Sequence, residues 1–159
     1  VKNKPLSNYE AILTPKEYKN LMLDDKAENK DDSTQIVSTK KHSFMDFYSE
    51  WKNVKYKMGG ESKEGIDCSA FAREIYKEKY NKELPRSTLT QVNMGKEVKK
   101  SDLKPGDLVF LKTGKRTKHV GVYVGDNNFL HASVKGIQFT SLDKPFYKKS
   151  YWTSRRVID

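Results

Sequence analysis

Cys68 follows Asp67, one of the residue types that caps helices best, so the only thiol of the chain stands at an expected helix start. Exposed amide N–H groups and the positive end of the helix dipole favour a thiolate there. The thiolate is the nucleophilic form of cysteine, and a nucleophile of this kind needs a base beside it. The chain offers three histidines for that part, His42, His119 and His131. His119 opens an apolar alternating run after a Gly/Lys/Thr loop, and His131 lies in the next such run. Side chains alternate along strands, so the two rings share a face only in the right register. An odd-numbered hairpin loop such as Asp126-Asn127-Asn128 would provide it, and an even loop would need a bulge. With the rings on one face, His131 can orient His119 while His119 turns to Cys68, which reproduces the nucleophile, base and orienter of acyl-transfer enzymes. A lone histidine is more often a surface or core residue, so this reading depends on the fold bringing the three together.

The elements that must do so are legible. Ser43 can cap a helix whose Phe44, Phe47, Tyr48 and Trp51 share a face. Gly59-Gly60 marks a tight loop. The helix after Asp67 turns Phe71, Ala72, Ile75 and Tyr76 inward and can end at Asn81. Ser87 opens a short helix to Gln91. Beyond Gly95 the period becomes two, with strands expected at 108–111, 119–124, 129–133, 137–140 and 155–158. Helices first and an antiparallel meander after them predict an α+β domain. Residues 1–40 differ. Thr14-Pro15-Lys16-Glu17 has the form of a helix start, and 24–34 is polar linker sequence. The expected organisation is a flexible N-terminal extension over 1–40 and one domain over 41–159.

Charge and composition narrow the partners. Lys and Arg number 31 against 21 Asp and Glu, a net charge of +10, with mean hydropathy −0.86. The surplus favours a polyanionic partner. No helix gathers Lys and Arg on one face and no nucleic-acid motif appears, so nucleic acid is not expected. A zinc site of Cys68, His119 and His131 would have the ligand number of a catalytic centre, but neither Cys-x-x-Cys nor His-Glu-x-x-His is present.

Read in order, several segments resemble the NlpC-type cell-wall cysteine peptidases, and within them the Spr-like murein endopeptidases. They are Tyr56-Lys57-Met58-Gly59-Gly60, Gly65-Ile66-Asp67-Cys68-Ser69-Ala70-Phe71, Leu84-Pro85-Arg86-Ser87, Pro105 to Phe110, His119 to Gly125, and His131-Ala132-Ser133. The resemblance covers about Ser43 to Val157. It implies a papain-like fold with Cys68 as nucleophile, His119 as base, His131 as orienter and the Tyr56 hydroxyl near the oxyanion. Asp67, Ser69 and Arg86 join the oxyanion and substrate-binding set. Arg86 has two readings, a contact to a substrate carboxylate and a pair for a neighbouring acid. The family usually has Gly after Cys-Ser where this chain has Ala70. The implied reaction is hydrolysis of a stem-peptide bond of peptidoglycan without metal or cofactor. The expected bond is the D-alanyl–diaminopimelate cross-link, with the γ-D-glutamyl–diaminopimelate bond or a non-catalytic wall-binding role as alternatives. The expected setting is the periplasm or cell envelope, as a secreted or lipid-anchored monomer.

Overall fold

The computed structural model describes residues 43–158. The Thr14 helix, the 24–34 linker and His42 lie outside them. Helix α1 spans Phe44–Trp51. Ser43 accepts from the Asp46 N–H at 3.2 Å and donates its own N–H to Asp46 at 3.4 Å, a reciprocal cap. This start turns Phe44, Phe47 and Trp51 onto the core. Helix α2, Cys68–Ile75, buries nearly every side chain and runs on through a wider turn, Tyr76–Tyr80, to Asn81 in the left-handed region. Helix α3, Thr88–Gln91, is capped by Ser87.

Between α1 and α2 a small hairpin joins β1, Glu61–Ser62, to β2, Gly65–Ile66. The main sheet has six antiparallel strands. They are β3 (Lys96–Glu97), β4 (Leu108–Lys112), β5 (Lys118–Gly125), β6 (Asn128–Ser133), β7 (Gly136–Ser141) and β8 (Tyr151–Arg156), in the order β3-β8-β4-β5-β6-β7. The fold is thus α+β, as the sequence pattern predicts. Phe110, Val120, Val122, Leu130 and Ala132 face the helices and pack on Phe71, Ile75 and Phe47. The opposite face carries Val109, Leu111, Tyr123, Phe129 and Leu142, covered by Tyr147 and Tyr151.

Two elements depart from the expectation. A fourth helix, α4, spans Pro145–Ser150 with Pro145 in its first turn. The last strand runs over Tyr151–Arg156 instead of 155–158 and pairs with β4 across a register shift at Phe110/Leu111. Its fully buried residue is Ser154, a small polar side chain that apolar alternation does not reveal.

The β5–β6 hairpin sets the site. Its loop is the even one: Asp126 and Asn127 both take positive φ, 49° and 63°. Val122 pairs with Leu130 and Tyr123 with Phe129, but Gly125 pairs with Asn128, so Val124 is the extra residue. That one-residue bulge restores the register an even loop would break, and His119 and His131 fall on one face. Gly121 makes room for them, since a Cβ there would lie 2.5 Å from the Phe129 ring and 2.9 Å from His131 Cβ.

Candidate active site

The first turn of α2 holds the thiol. Asp67 caps it, its Oδ1 accepting from the Ala70 N–H at 2.9 Å and from the Ser69 hydroxyl at 3.2 Å. Its other oxygen, Oδ2, accepts from the Gly59 N–H at 2.9 Å. Gly59 has φ +79°, and a Cβ at Gly60 would lie 2.3 Å from the Gly65 carbonyl oxygen, so the Gly-Gly pair is what lets this loop close beneath the cap. The Cys68 N–H, as the first of the helix, has no carbonyl one turn back to bond.

Cys68 itself sits where the sheet opens. The β5–β6 pairing stops at Val122 and Leu130, and toward the start of β5 the Val120 N–H points to the Cys68 sulfur. Thr88 Oγ1 lies 3.7 Å from the sulfur on the other side. His119, the residue before Val120, flanks the same opening. Among the described residues no hydrogen bond joins the thiol to the His119 ring in this resting arrangement, and catalytic contacts of this kind commonly tighten when substrate binds.

The histidines form a chain. His119 Nε2 and His131 Nδ1 are 2.7 Å apart, and His131 Nε2 is 2.8 Å from Thr140 Oγ1. With Nε2 engaged, Nδ1 is the His119 nitrogen left for the thiol. His131 is fully buried; Phe129 stacks on it at 4.2 Å between centroids, and Tyr147 of α4 meets it edge-on at 5.6 Å. Its ring therefore has one orientation.

Electrostatics give a neutral resting pair. Burial pushes the Cys68 thiol up, and outweighs the Val120 and Ser69 N–H groups and the Thr88 hydroxyl that favour the thiolate. The helix-start effect anticipated from sequence is thus present but not dominant. His119 as a whole residue is half-buried, and desolvation by the atoms packed around its ring brings its pKa down to about 4. His131 is driven well below the usual histidine value by burial, then by His119 and Lys144. At neutral pH both rings are uncharged, so His119 is available as a base.

The remaining sequence-selected residues gather at the cap. Tyr56 forms a bridge to Ile66, and its pKa is raised by burial first and then by its nearness to Cys68 and Asp67. Arg86 grips both Asp67 oxygens, at 3.1 and 2.9 Å, and also reaches Ser69 Oγ at 2.9 Å and Glu61 Oε2 at 2.9 Å. Its fork is engaged by the protein's own acids. Burial would raise Asp67, but Arg86 and the Ala70 and Gly59 N–H groups hold its carboxyl below the usual carboxylate range. Thr88, Thr140, Phe129 and Tyr147 were not singled out from sequence. Thr140 could have been found as the diagonal neighbour of His131, which pairs with Gln138. Among the described residues no group of three or more His, Cys, Asp or Glu is placed to hold a metal ion.

A thiol at the start of a helix packed on an antiparallel sheet, with an imidazole pair on two neighbouring strands of that sheet, defines a papain-like domain. The chain belongs to the NlpC/P60 family, whose model matches residues 53–156. It is 46% identical over 119 residues to the murein DD-endopeptidase MepS/murein LD-carboxypeptidase of Escherichia coli K12, covering 74% of this chain and 63% of that relative. Among solved structures it resembles an NlpC/P60 family protein from Bacillus cereus, with TM-score 0.60, 33% identity and coverage of 67% of this chain and 36% of that one. It also resembles the peptidoglycan hydrolase RipB of Mycobacterium tuberculosis, with TM-score 0.60, 25% identity and coverage of 72% and 63%.

Proposed function

We propose that the protein is a peptidoglycan endopeptidase that hydrolyses a stem-peptide amide by thiol acyl transfer, with the D-alanyl–diaminopimelate cross-link as its bond. The observation that supports this most is the chain from Thr140 through His131 to His119, which leaves Nδ1 for a thiol at the head of α2. His119 takes the thiol proton as the sulfur adds to the scissile carbonyl. The negative oxygen that forms meets the Cys68 N–H and the Tyr56 hydroxyl. His119 then gives its proton to the leaving amine, the C–N bond breaks and a thioester remains. Water attacks it, His119 takes the water's proton, and the acid departs as the thiol is restored. Ser69, Asp67 and Arg86 hold the loop and helix start that frame this cleft.

In this reading the domain acts in the cell envelope as a monomer, and residues 1–40 serve as a tether to the membrane side. The test is mass spectrometry of muropeptides after digestion of purified wall. Cross-linked dimers should fall to monomers with new amines on diaminopimelate. Cleavage after γ-D-glutamate would move the bond, and unchanged muropeptides would overturn the reading.

The basic surface supplies a second check. The β4–β5 hairpin carries Lys112, Lys115, Arg116 and Lys118, with Lys112 directly opposite Lys118. Both of these lie over Trp152, at 4.7 and 5.9 Å from its ring centroid, and none of the four has an acidic partner among the described residues. Like charges held opposite one another are destabilising unless something anionic meets them. Their hairpin leads straight into His119, so free stem carboxylates would pass it. The Debye length shrinks from about 10 Å at 0.1 M salt to about 3 Å at 1 M. Activity on insoluble wall should therefore drop several-fold over that range, while a small neutral amide substrate changes little. Equal salt sensitivity of the two would remove the hairpin from recognition.

A further inference from the structure

The proton inventory of the histidine chain gives Thr140 a part in it. Two neutral imidazoles carry one N–H each, and the His119–His131 bond uses one of those protons. If His119 donates from Nε2, its Nδ1 keeps a lone pair, and His131 must hold its proton on Nε2 and donate it to Thr140. If His131 donates instead, His119 carries its proton on Nδ1 and cannot accept one from the thiol. Thr140 must then donate to His131 Nε2. Once His119 is an imidazolium the choice disappears. Both its nitrogens bear protons, so His131 Nδ1 must accept, His131 Nε2 must donate, and Thr140 must accept. A hydroxyl can serve both arrangements by rotating, which neither a carboxylate nor an ammonium group could do.

We infer that Thr140 is a positioning residue of the catalytic chain, whose hydroxyl accepts the His131 proton whenever His119 acts as base. The inference rests on Cys68 and His119 acting as nucleophile and base, as proposed above. Thr140 is 2% exposed and His131 is 1% exposed, so no solvent stands ready to replace the hydroxyl. Thr140 faces Phe129 across β6–β7 and reaches His131 along the diagonal. The groups set around His131 are His119 on β5, Phe129 on its own strand, Lys144 before α4 and the Tyr147 ring on α4. Those around Cys68 are Asp67, Tyr56 and Thr88.

Thr140→Val keeps the shape and the strand preference but removes the acceptor. A buried N–H left without a partner disfavours the arrangement that needs it, so the thiolate–imidazolium pair should become roughly five- to a hundredfold scarcer. Iodoacetamide alkylation of Cys68 reads that pair with no wall substrate present. In Thr140→Val the rate at pH 7 should fall about tenfold and its rise with pH should move upward. On wall substrate kcat should fall by a like factor while KM stays. Thr140→Ser, which restores the hydroxyl, should recover both. Alkylation and kcat within twofold of the parent in Thr140→Val would overturn the inference. So would a Thr140→Ser variant as slow as Thr140→Val, because packing would then be the whole effect. A shifted alkylation profile in a protein that leaves wall intact would support Thr140 and reject the substrate.

Discussion

Cys68→Ser should leave a folded protein that no longer cleaves wall, with kcat/KM lower by roughly a thousand-fold or more. The fold should tolerate the change because the contacts of the sulfur accept an oxygen. The Val120 N–H and the Thr88 hydroxyl can both bond a serine hydroxyl, and Asp67 still caps the helix through the Ala70 N–H. The chemistry should not tolerate it. The neutral His119 ring is a weak base, with its pKa brought down to about 4. A thiol loses its proton several pH units more readily than an aliphatic hydroxyl, so the same ring that can activate sulfur cannot activate serine to a comparable degree. Circular dichroism and thermal unfolding should match the parent, and muropeptide release should vanish. Release at near-parental rate would remove Cys68 from the mechanism and leave the family resemblance as a matter of fold alone.

How much of this site was legible before the fold was known depends on the kind of signal each residue left. Asp67 and Cys68 announce a helix start through capping chemistry, and Ser43 and Ser87 do the same for α1 and α3. The short apolar runs of β4 to β7 reflect burial on both sides of the sheet, so their positions were readable to within a residue or so. The relation of His119 to His131 was readable only as two alternatives, because parity depends on loop length and bulges. The structure takes the even loop with Val124 as the extra residue. Arg86 shows the opposite limit. A guanidinium after Pro85 suits a substrate carboxylate or a protein carboxylate equally well in one dimension, and only the three-dimensional approach of Asp67 and Glu61 shows which acids its fork meets. Helix α4 was silent because it is short and lacks a side-chain cap, and with it went the Tyr147 ring that holds His131.

The last expected result separates base from orienter. In the proposed mechanism His119→Ala removes the base, and general-base loss of this kind costs typically a hundred- to ten-thousand-fold. In the proposed mechanism His131 acts through His119, so its replacement should cost less, but the substitution must be chosen with its burial in mind. His131→Ala would open a cavity between Phe129, Tyr147 and Thr140, and a large-to-small change at a fully buried site costs several kcal/mol of stability. Alanine would therefore mix a folding defect with a catalytic one. His131→Asn keeps a polar group that can accept from His119 Nε2, and it leaves a smaller void. We expect His131→Asn to retain more activity than His119→Ala, with kcat reduced and KM little changed, because an orienter sets ring geometry and not substrate affinity. The ordering should hold when unfolding free energies are compared alongside the rates. If His119→Ala proves the milder change, the base is not His119, and the thiol must find its proton acceptor elsewhere in the cleft.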